Sequence, residues 1–492
     1  MVTHPTTLSD FVLIVALESE VAPQGSLQIS CFALEKRMKK INLLIKNGTL
    51  VTAEKIFNSD IFISGEKIIE IGRIRFRKNC KIIDAKNKYV FPGIIDAHTH
   101  FGLEAYSSRT SDNFLSGTKA AAAAGITTII DYAIPQKNET MLASVIRRKK
   151  EAEKSYIDYS FHSQIVNWTE QSQSDFKKLV SGYGIKSFKV FMPKTEGWGV
   201  GDYELLKILE ASKKYHTIIE VHAESSPLID GFVKTFVDRK KTAVSNFYYT
   251  RPNIAEEEAV NRAVFLADKS GGNLYVVHTT SEGTLKIAHA AQKRGVNVTI
   301  ETCPQYLILN KKVFEKKDGY LFATCPPVKL PSDNKALWEG LKNGTVKTVA
   351  TDHCAFSKKD KQKAENDFRK LRFGMPGVET LFPVLFSEGV VKKRITLKKL
   401  AQVTSQNPAK IFGLYPKKGC IKTGSDADLT IFDPKIKWRI DYKKLYNTNC
   451  GWNPYQNMKI TGKPVMTLLR GKIIYDNGKF MSDSGYGKFL KR

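Results

Sequence analysis

The sequence predicts an α/β fold, a (β/α)8 barrel of the TIM type, with a smaller domain beside it. Short apolar segments rich in β-branched residues, such as Thr127–Asp131 and Val296–Ile300, alternate with helical stretches such as Glu256–Lys269. This alternation is the element order of a parallel barrel. Several of the apolar segments end in a histidine or an aspartate, and functional residues of barrels lie at the carboxyl ends of the strands.

The length suits one barrel and one smaller domain. The chain has 492 residues, of which 42% are hydrophobic and 10% aromatic, so it can bury a large core. Short candidate strands separated by turn residues flank the barrel on both sides. The first group occupies about residues 41–88, with turns predicted at Asn47-Gly48 and Gly65-Glu66, and the second occupies residues 419–478 around Arg470-Gly471.

The strongest single motif is the pair His98 and His100, at the end of the apolar segment Val90–Ala97. Side chains at positions i and i+2 of a strand point to the same face, so both imidazoles can reach one point. Such a pair can bind a metal ion, although an isolated His-x-His is about as often an ordinary polar strand end. The remaining strand ends favour the metal site.

Three further candidate ligands follow apolar segments of the same kind. His222 follows Ile218–Val221, His278 follows Leu274–Val277, and Asp352 follows Val346–Thr351. One histidine in such a place is more often a core or surface residue. The chain has only nine histidines, however, and four of them lie at strand ends of this kind. We therefore predict a metal site.

Lys189 lies in the middle of the apolar segment Ser187–Met192. A buried ammonium group without a partner is energetically costly. Such a lysine can be carboxylated on Nζ to a carbamate, an anionic ligand with two oxygens that can bridge two cations. Alternatively, the side chain can extend to solvent. The segment alone does not distinguish these two possibilities.

Ordered blocks of residues resemble the dihydropyrimidinase and D-hydantoinase branch of the amidohydrolase superfamily, from about Lys40 to about Met481. The blocks are Asp96–His100, Thr110–Phe114, Gly117–Ala122, Ser187–Met192, Val221–Glu224, Glu301–Leu307, Thr351–Cys354 and Asn407–Leu414. The resemblance implies a hydrolase that opens the C–N bond of a cyclic amide. It also implies that residues 38–90 and 415–485 pair into one β-sandwich beside a barrel of residues 91–414.

The same resemblance implies two divalent metal ions as cofactors. It assigns His98, His100 and Asp352 to the more buried ion, and His222 and His278 to the more exposed one, with Lys189 bridging both as N6-carboxylysine. Zinc is the expected metal for an imidazole-rich site, although manganese or iron would also suit the oxygen ligands. Asp352 is in addition the implied catalytic residue, which takes a proton from the attacking hydroxide and passes it to the leaving ring nitrogen.

Four residues are candidates for substrate binding. Lys194 stands where the family usually has a tyrosine that donates to the developing oxyanion, and it could donate instead or point to solvent. Cys325 replaces a serine that contacts the cyclic imide, and a thiol is a weaker hydrogen-bonding group. Pro376 and Gly377 belong to a loop that usually offers backbone contacts. These departures leave the identity of the substrate ring open.

Two alternatives to a hydantoinase or dihydropyrimidinase stay open. One is an allantoinase or another cyclic ureide hydrolase. The other is a non-catalytic scaffold relative, which is less favoured because such proteins usually lose metal ligands and all six positions are kept here. A dihydroorotase is also less favoured, because those enzymes typically have an arginine where this chain has Gly102.

The amino-acid composition indicates which binding partners and which cellular compartment to expect for the protein. The net charge is +28, but the basic residues are spread along the whole chain and accompany no nucleic-acid-binding motif. We therefore expect a small-molecule substrate rather than a specific nucleic acid, and no apolar segment is long enough to span a membrane. Seven cysteines without a C-x-x-C pair favour a cytoplasmic enzyme. The family resemblance implies a homo-oligomer, specifically a tetramer.

Residues 1–37 fit nothing in the family pattern. The apolar stretch Phe11–Leu17 is at the short limit of a signal-peptide core, and no lysine or arginine precedes it, so a secretory signal is not favoured. The segment that begins at Met38 resembles the natural N-terminus of a protein. We expect the extension to be disordered or an artefact of start assignment.

Overall fold

A computed structural model describes residues 42–75, 77, 79–193, 198–364 and 366–492. The predicted extension, residues 1–37, and the candidate substrate-binding residue Lys194 lie outside the described residues.

The strands of the described residues fall into two large sheets and a two-stranded ribbon. They are β1 (Asn42–Val51), β2 (Ile56–Ser64), β3 (Lys67–Gly72), β4 (Lys81–Asp84), β5 (Tyr89–Pro92), β6 (Ile94–Thr99), β7 (Glu104–Ala105), β8 (Ser108–Arg109), β9 (Ile126–Ala133), β10 (Asp158–Gln164), β11 (Ser187–Phe191), β12 (Ile218–His222), β13 (Leu274–Val276), β14 (Val298–Thr302), β15 (Val346–Val349), β16 (Leu429–Arg439), β17 (Lys459–Leu469), β18 (Lys472–Asp476) and β19 (Lys479–Phe480).

Eight parallel strands form the barrel, in the order β6-β9-β10-β11-β12-β13-β14-β15. The first and last strands meet where the backbone N–H of His100 donates to the carbonyl of His353 at 2.8 Å and Thr99 forms a parallel bridge with His353. The sheet therefore closes on itself, which confirms the predicted TIM-type barrel. Its strands are buried on both faces because helices cover the outside and side chains fill the inside.

Helices alternate with the barrel strands, as crossover connections between parallel strands require. The α-helices are Phe114–Ala123, Met141–Glu151, Glu170–Lys178, Asp202–Tyr215, Ser226–Asp238, Phe247–Thr250, Asn253–Ser270, Glu282–Lys293, Pro304–Ile308, Pro331–Asn343, Lys358–Gln362, Leu381–Leu385, Leu397–Ala401 and Asn407–Ile411. The helix predicted at Glu256–Lys269 is confirmed within Asn253–Ser270. It ends there because Gly271 adopts a φ of +67°, the left-handed conformation that stops helices.

The two ends of the described chain form a nine-stranded sheet together. β1 to β5 and β16 to β19 run in the order β19-β18-β17-β16-β5-β1-β2-β3, with β4 beside β1. This sheet has its own apolar core, which includes Leu43, Ile61, Ile68, Val90 and Leu429. The sharing of one sheet by both ends agrees with the family resemblance. The domain limits at residues 38–90, 91–414 and 415–485 stay a prediction.

One predicted turn in this sheet is wrong. Asn47-Gly48 does not end a strand but lies inside β1, where the register to β2 shifts between Ile45 and Gly48. Asn47 adopts a φ of 60°, so the pair forms a bulge that bends the strand without ending it. Local composition favours a turn and a bulge equally, because both need a left-handed residue. The predicted turn at Gly65-Glu66 is confirmed between β2 and β3.

A buried ion cluster joins the barrel to the segment that leads into β16. The Nζ atom of Lys418 lies 2.6 Å from Asp158 and Asp428 and 3.0 Å from Asp426. Asp158 begins the barrel strand β10, and Arg470 also contacts it. The lysine ammonium contacts all three carboxylates, while Arg470 also pairs with Asp158 and Lys67 with Asp426, so this acidic cluster is balanced by cations of the chain and is structural.

A search of the described helices finds none with the length and apolar character needed to cross a bilayer.

Candidate active site

The six predicted metal ligands lie at one place, at or near the carboxyl ends of barrel strands. They come from β6, β11, β12 and the residues that directly follow β6, β13 and β15. Parallel strands end at the same mouth of a barrel, so residues far apart in sequence meet there.

His98, His100 and Asp352 form the first group. Asp352 Oδ1 lies 3.2 Å from Nε2 of His98 and 3.2 Å from Nε2 of His100. Asp352 adopts a φ of 51°, a strained backbone position for a residue other than glycine. Burial alone would raise the pKa of the Asp352 carboxyl, but the two histidines hold it well below its usual range. The carboxylate is therefore ionised and faces both imidazoles.

His222 and His278 form the second group. Nδ1 of His222 lies 3.1 Å from Nε2 of His278, and the ring of His278 lies 5.5 Å from that of His98. Burial lowers the pKa of His278 well below its usual value, which keeps the imidazole neutral. Neutral imidazole is the form that binds metal ions.

Lys189 lies inside the barrel and is only 2% exposed, and it interacts electrostatically with Asp352 of the first group and His278 of the second. Its neighbour in register on the next strand is Glu220. The Nζ atom lies 5.3 Å from the ring centre of Tyr132 and 5.2 Å from that of Phe191. Burial lowers the pKa of Lys189 to about 8, although nearby carboxylates such as Glu220 oppose this shift.

Glu301 orients both ligand groups and was not predicted to have a role. Its Oε1 lies 2.7 Å from Nδ1 of His98 and accepts the backbone N–H of His278 at 3.1 Å. Its Oε2 accepts the hydroxyl of Tyr275 at 2.8 Å. Nε2 of His98 is thereby turned toward Asp352. A carboxylate at the end of the apolar strand β14 is the sequence signal that could have identified this residue.

Asp131 supports the segment that carries the first two histidines, and it too was missed. Its carboxylate accepts the hydroxyl of Thr99 at 2.8 Å and the backbone N–H of Phe101 at 3.0 Å. Arg148, itself buried, donates to Asp131 at 2.5 Å. Asp131 therefore fixes the backbone on both sides of His100.

Cys325, a predicted substrate-binding residue, lies beside the second ligand group. Its thiol donates to Glu224 Oε2 at 3.0 Å, and the same oxygen lies 2.9 Å from Nε2 of His222 and 2.8 Å from Nη1 of Arg251. Glu224 thus orients His222 as Glu301 orients His98. Burial raises the pKa of the Cys325 thiol well above its usual value, so the thiol is neutral and acts as a donor.

Pro376 and Gly377, the other described candidates, lie in a buried loop that is tied to the ligand segment. The backbone N–H groups of Gly377 and Val378 donate to Nδ1 of His353, at 3.1 and 3.2 Å. His353 directly follows Asp352, and its Nε2 lies 3.2 Å from Asp112. The loop is therefore held at a fixed position relative to Asp352.

The donor atoms fit a metal centre. Among the predicted ligands, three buried imidazole nitrogens, Nε2 of His98, Nδ1 of His100 and Nδ1 of His278, have no hydrogen-bond partner in the described part of the chain. One donor atom each from His98, His100 and Asp352 lies within 4.8 Å of the others. Buried polar atoms without partners are energetically costly. A cation between His98, His100 and Asp352 would give Nε2 of His98 a partner. Carboxylates behind ligating histidines are also typical of metal sites.

Known proteins resemble this chain over almost its whole length. The amidohydrolase family model matches residues 89–474. A D-hydantoinase from Geobacillus stearothermophilus is 39% identical over 453 residues, which cover 91% of this chain and 96% of the relative. A D-hydantoinase from Ralstonia pickettii is 37% identical over 456 residues, covering 92% and 99%. The crystal structure of dihydropyrimidinase from Brevibacillus agri matches with a TM-score of 0.89 at 36% identity, over 92% of this chain and 99% of that one.

Proposed function

Because the chain belongs to the amidohydrolase family, and within it to the branch of D-hydantoinases and dihydropyrimidinases, we propose a specific metal site and reaction for it. The chain is a hydrolase that opens the C–N bond of a cyclic amide. The proposal concerns which residues bind the metal ions, which metal is bound, and which ring is opened.

In this proposal a binuclear site is formed by His98, His100 and Asp352 at one ion and by His222 and His278 at the other. The observation that carries it is the approach of two Nε2 atoms to the same Asp352 oxygen at 3.2 Å each. The pair His222 and His278 supports the second ion, with facing ring nitrogens 3.1 Å apart. Zinc is the proposed metal, because most of the ligands are imidazoles.

Lys189 is proposed to bridge the two ions as a carbamate. Its side chain is buried near the rings of Tyr132 and Phe191. No carboxylate of the described residues lies within ion-pair distance of its Nζ atom, so the unmodified ammonium would be buried without a direct partner. Addition of carbon dioxide to the deprotonated amine, with release of a proton to solvent, would replace that cation by an anionic carbamate suited to two nearby metal ions.

In the proposed hydrolysis, different residues transfer the proton and orient the metal ligands. A pair of divalent cations, when bound, would make hydroxide available near neutral pH and polarise the amide carbonyl. Asp352 accepts the proton as the oxygen attacks the carbonyl carbon, and it gives that proton to the ring nitrogen as the C–N bond breaks. Glu301 and Glu224 keep His98 and His222 in their binding orientations. The ring opens to a carboxylate and an amide or ureide nitrogen.

The proposed substrate is a hydantoin or a dihydropyrimidine, by analogy with the named relatives. An allantoinase activity stays the alternative, because Cys325 and Lys194 depart from the family pattern at substrate contacts. The role of Lys194 as oxyanion donor stays a prediction from sequence. A homotetramer is proposed on the family resemblance. A cytoplasmic location is proposed because the sequence has no C-x-x-C motif.

A screen with matched variants tests the proposal. Purified protein loaded with zinc is assayed on hydantoin, dihydrouracil, allantoin and dihydroorotate, and its metal content is measured. Lys189→Ala should lose bound metal and activity, and short carboxylic acids added with zinc should restore part of both. Lys186→Ala, a half-buried lysine just before the same strand, serves as control and should keep both. Full activity in metal-free protein would contradict the proposal.

A further inference from the structure

A cavity of about 460 Å³ lies beside the predicted metal ligands and is lined by His100. Its walls include four basic residues, Arg109, Lys137, Arg147 and Arg148, and three carboxylates, Glu104, Asp131 and Glu151. Binding of an apolar substituent of the substrate ring would not require charged residues in the cavity wall. The cavity therefore raises the question of which of these cations can bind a ligand.

Two of the four cations are already neutralised. Arg147 forms ion pairs with Glu139 at 2.9 Å and Glu151 at 2.8 Å. Arg148 forms ion pairs with Asp131 and Glu151, both at 2.5 Å. These guanidinium groups hold the wall of the cavity together and are not available to a ligand.

Arg109 is different. It ends β8, opposite Glu104 in the ribbon of β7 and β8, and its exposed side chain donates from Nε to the carbonyl of Gly102 at 3.3 Å. Across the residues that the structure describes, no carboxylate forms an ion pair with it. The guanidinium of Arg109 therefore belongs to the cavity wall outside any ion pair of the described residues, and the carboxylate of Glu104, across the ribbon, lines the same cavity.

Gly102 makes room for this guanidinium close to the reaction site. Gly102 follows His100 by two residues and has a φ of +65°. A Cβ atom at Gly102 would lie 3.2 Å from Nη2 of Arg109 and 3.6 Å from Nε. The backbone N–H of Gly102 donates to the carbonyl of Asp112 at 2.7 Å, which fixes the position. Arg109 is thus held across the backbone that leads out of the ligand segment.

We propose that Arg109 binds a carboxylate carried by the ring substituent of the substrate, an inference that rests on the proposed function. A guanidinium group presents its N–H donors in a planar fork that matches the two oxygens of a carboxylate. Lys137 adds positive potential to the same cavity and attracts the anion. The substrate class is accordingly cyclic amides with an anionic substituent.

A matched pair of substrates tests this inference. Hydantoin-5-acetic acid and hydantoin-5-acetamide have nearly the same shape and differ in charge. The zinc-loaded wild-type enzyme should show a kcat/KM at least 10-fold higher for the acid. Because Arg109 contacts the substituent and not the reacting bond, the difference should lie in KM, with kcat similar for both.

Variants of Arg109 sharpen the test. Arg109→Gln should raise KM for the acid by about 10- to 100-fold, the scale of a lost charged hydrogen bond, and change KM for the amide by less than about twofold. Arg109→Lys keeps the charge but loses the fork, so its KM should be intermediate. The control is Arg439→Gln, since Arg439 is also exposed and donates to a backbone carbonyl, that of Asn457 at 2.6 Å.

The outcomes separate this inference from the proposed function. Equal kcat/KM for the two substrates in the wild-type enzyme overturns the role of Arg109 and leaves cyclic amide hydrolysis intact. An equal loss on both substrates in Arg109→Gln also overturns it. Failure to open any cyclic amide contradicts both proposals. The wild-type comparison requires no variant, so poor folding of Arg109→Gln does not prevent the test.

Discussion

At the scale of single residues, the site depends as much on carboxylates behind the ligands as on the ligands themselves. Glu301 contacts His98 and the backbone of His278 at once, so one side chain orients residues of both ligand groups. Such supporting groups fix the tautomer of a ligating histidine and raise its basicity. Their loss should therefore weaken metal binding without removing a ligand.

Glu301→Gln tests this role. Glutamine keeps the shape of the side chain but removes the charge behind His98, so zinc affinity should fall by about 10- to 100-fold. Competition with a chelator at fixed pH measures the change. Tyr275→Phe is the control, because it removes only the hydroxyl on the other oxygen of Glu301 and should change zinc affinity much less. Unaltered affinity in Glu301→Gln would argue against the orienting role.

The sequence pattern selects residues that the structure brings together, whereas their role as metal ligands stays a prediction and their surroundings were not predicted. His98, His100, His222, His278 and Asp352 each follow an apolar strand, and that local pattern carries the information. Partners such as Glu301 or Asp131 are defined by distances across the barrel, which no local pattern contains.

Gly102 illustrates the same limit. The glycine at this position indicates that no arginine side chain follows His100 by two residues. In the structure, however, the guanidinium of Arg109 lies next to Gly102. The six residues between Gly102 and Arg109 decide this contact, and the geometry of so short a ribbon is not evident from its composition.

At the scale of elements, Glu379 ties the loop after Gly377 to the segment before β17. Its Oε2 accepts the backbone N–H groups of Tyr446 at 2.6 Å and Asn447 at 3.1 Å. Burial raises its pKa from 4.5 to about 8, while these two hydrogen bonds oppose the shift. The folded protein therefore keeps a proton on Glu379 at pH values where the unfolded chain has lost it.

This raised pKa predicts a pH-dependent effect of Glu379→Gln. Between about pH 4.5 and pH 8 the folded state binds more protons at this site than the unfolded state, so the contribution of Glu379 to stability falls as pH rises. Glutamine does not titrate. The free energy of unfolding of Glu379→Gln relative to wild type should thus increase from pH 5 to pH 8.5, as measured in urea. A difference that is constant with pH would contradict the assignment.

The element boundaries were only partly predictable. Strand ends that precede a ligand or a glycine turn were found, because Gly65-Glu66 and the ends of β6 and β12 have clear sequence signals. The bulge at Asn47-Gly48 was taken for a turn, since only pairing with β2 distinguishes the two.

At the scale of the whole molecule, the Lys418 cluster links the barrel to the segment that leads into the nine-stranded sheet. Its ammonium is 1% exposed and contacts three aspartates. Burial alone would lower the pKa of Lys418, but the carboxylates of Asp428, Asp158 and Asp426 raise it above its usual value. The lysine therefore stays charged, and its removal would leave Asp428 without its ion-pair partner and would take one of the cations from Asp158 and Asp426.

Lys418→Ala should lower the free energy of unfolding by about 3–5 kcal/mol, the scale of a broken buried ion pair. Denaturation in urea measures the loss. Lys422→Ala is a control from the same segment, because Lys422 is exposed and donates only to the hydroxyl of Tyr415; its change should stay within about 0.5 kcal/mol. Similar stabilities for the two variants would show that the cluster is not needed for folding.

The overall architecture was predictable because two kinds of information agree. The alternation of strands and helices indicates a barrel, and the ordered sequence blocks identify the family. The pairing of both chain ends in one sheet came from the family resemblance alone, because strands as far apart in sequence as β5 and β16, where Tyr89 pairs with Phe432, leave no local sign of contact.

The proposed centre consists of six residues that would hold two metal ions, with a carboxylated Lys189 between them. Anomalous X-ray diffraction from crystals of the zinc-loaded protein tests this arrangement. We expect two zinc peaks about 3.5–4 Å apart, one beside His98, His100 and Asp352 and one beside His222 and His278, with carbamate density on Lys189 between them. A single peak, or an unmodified Lys189 distant from both ions, would rule out a binuclear centre of this kind.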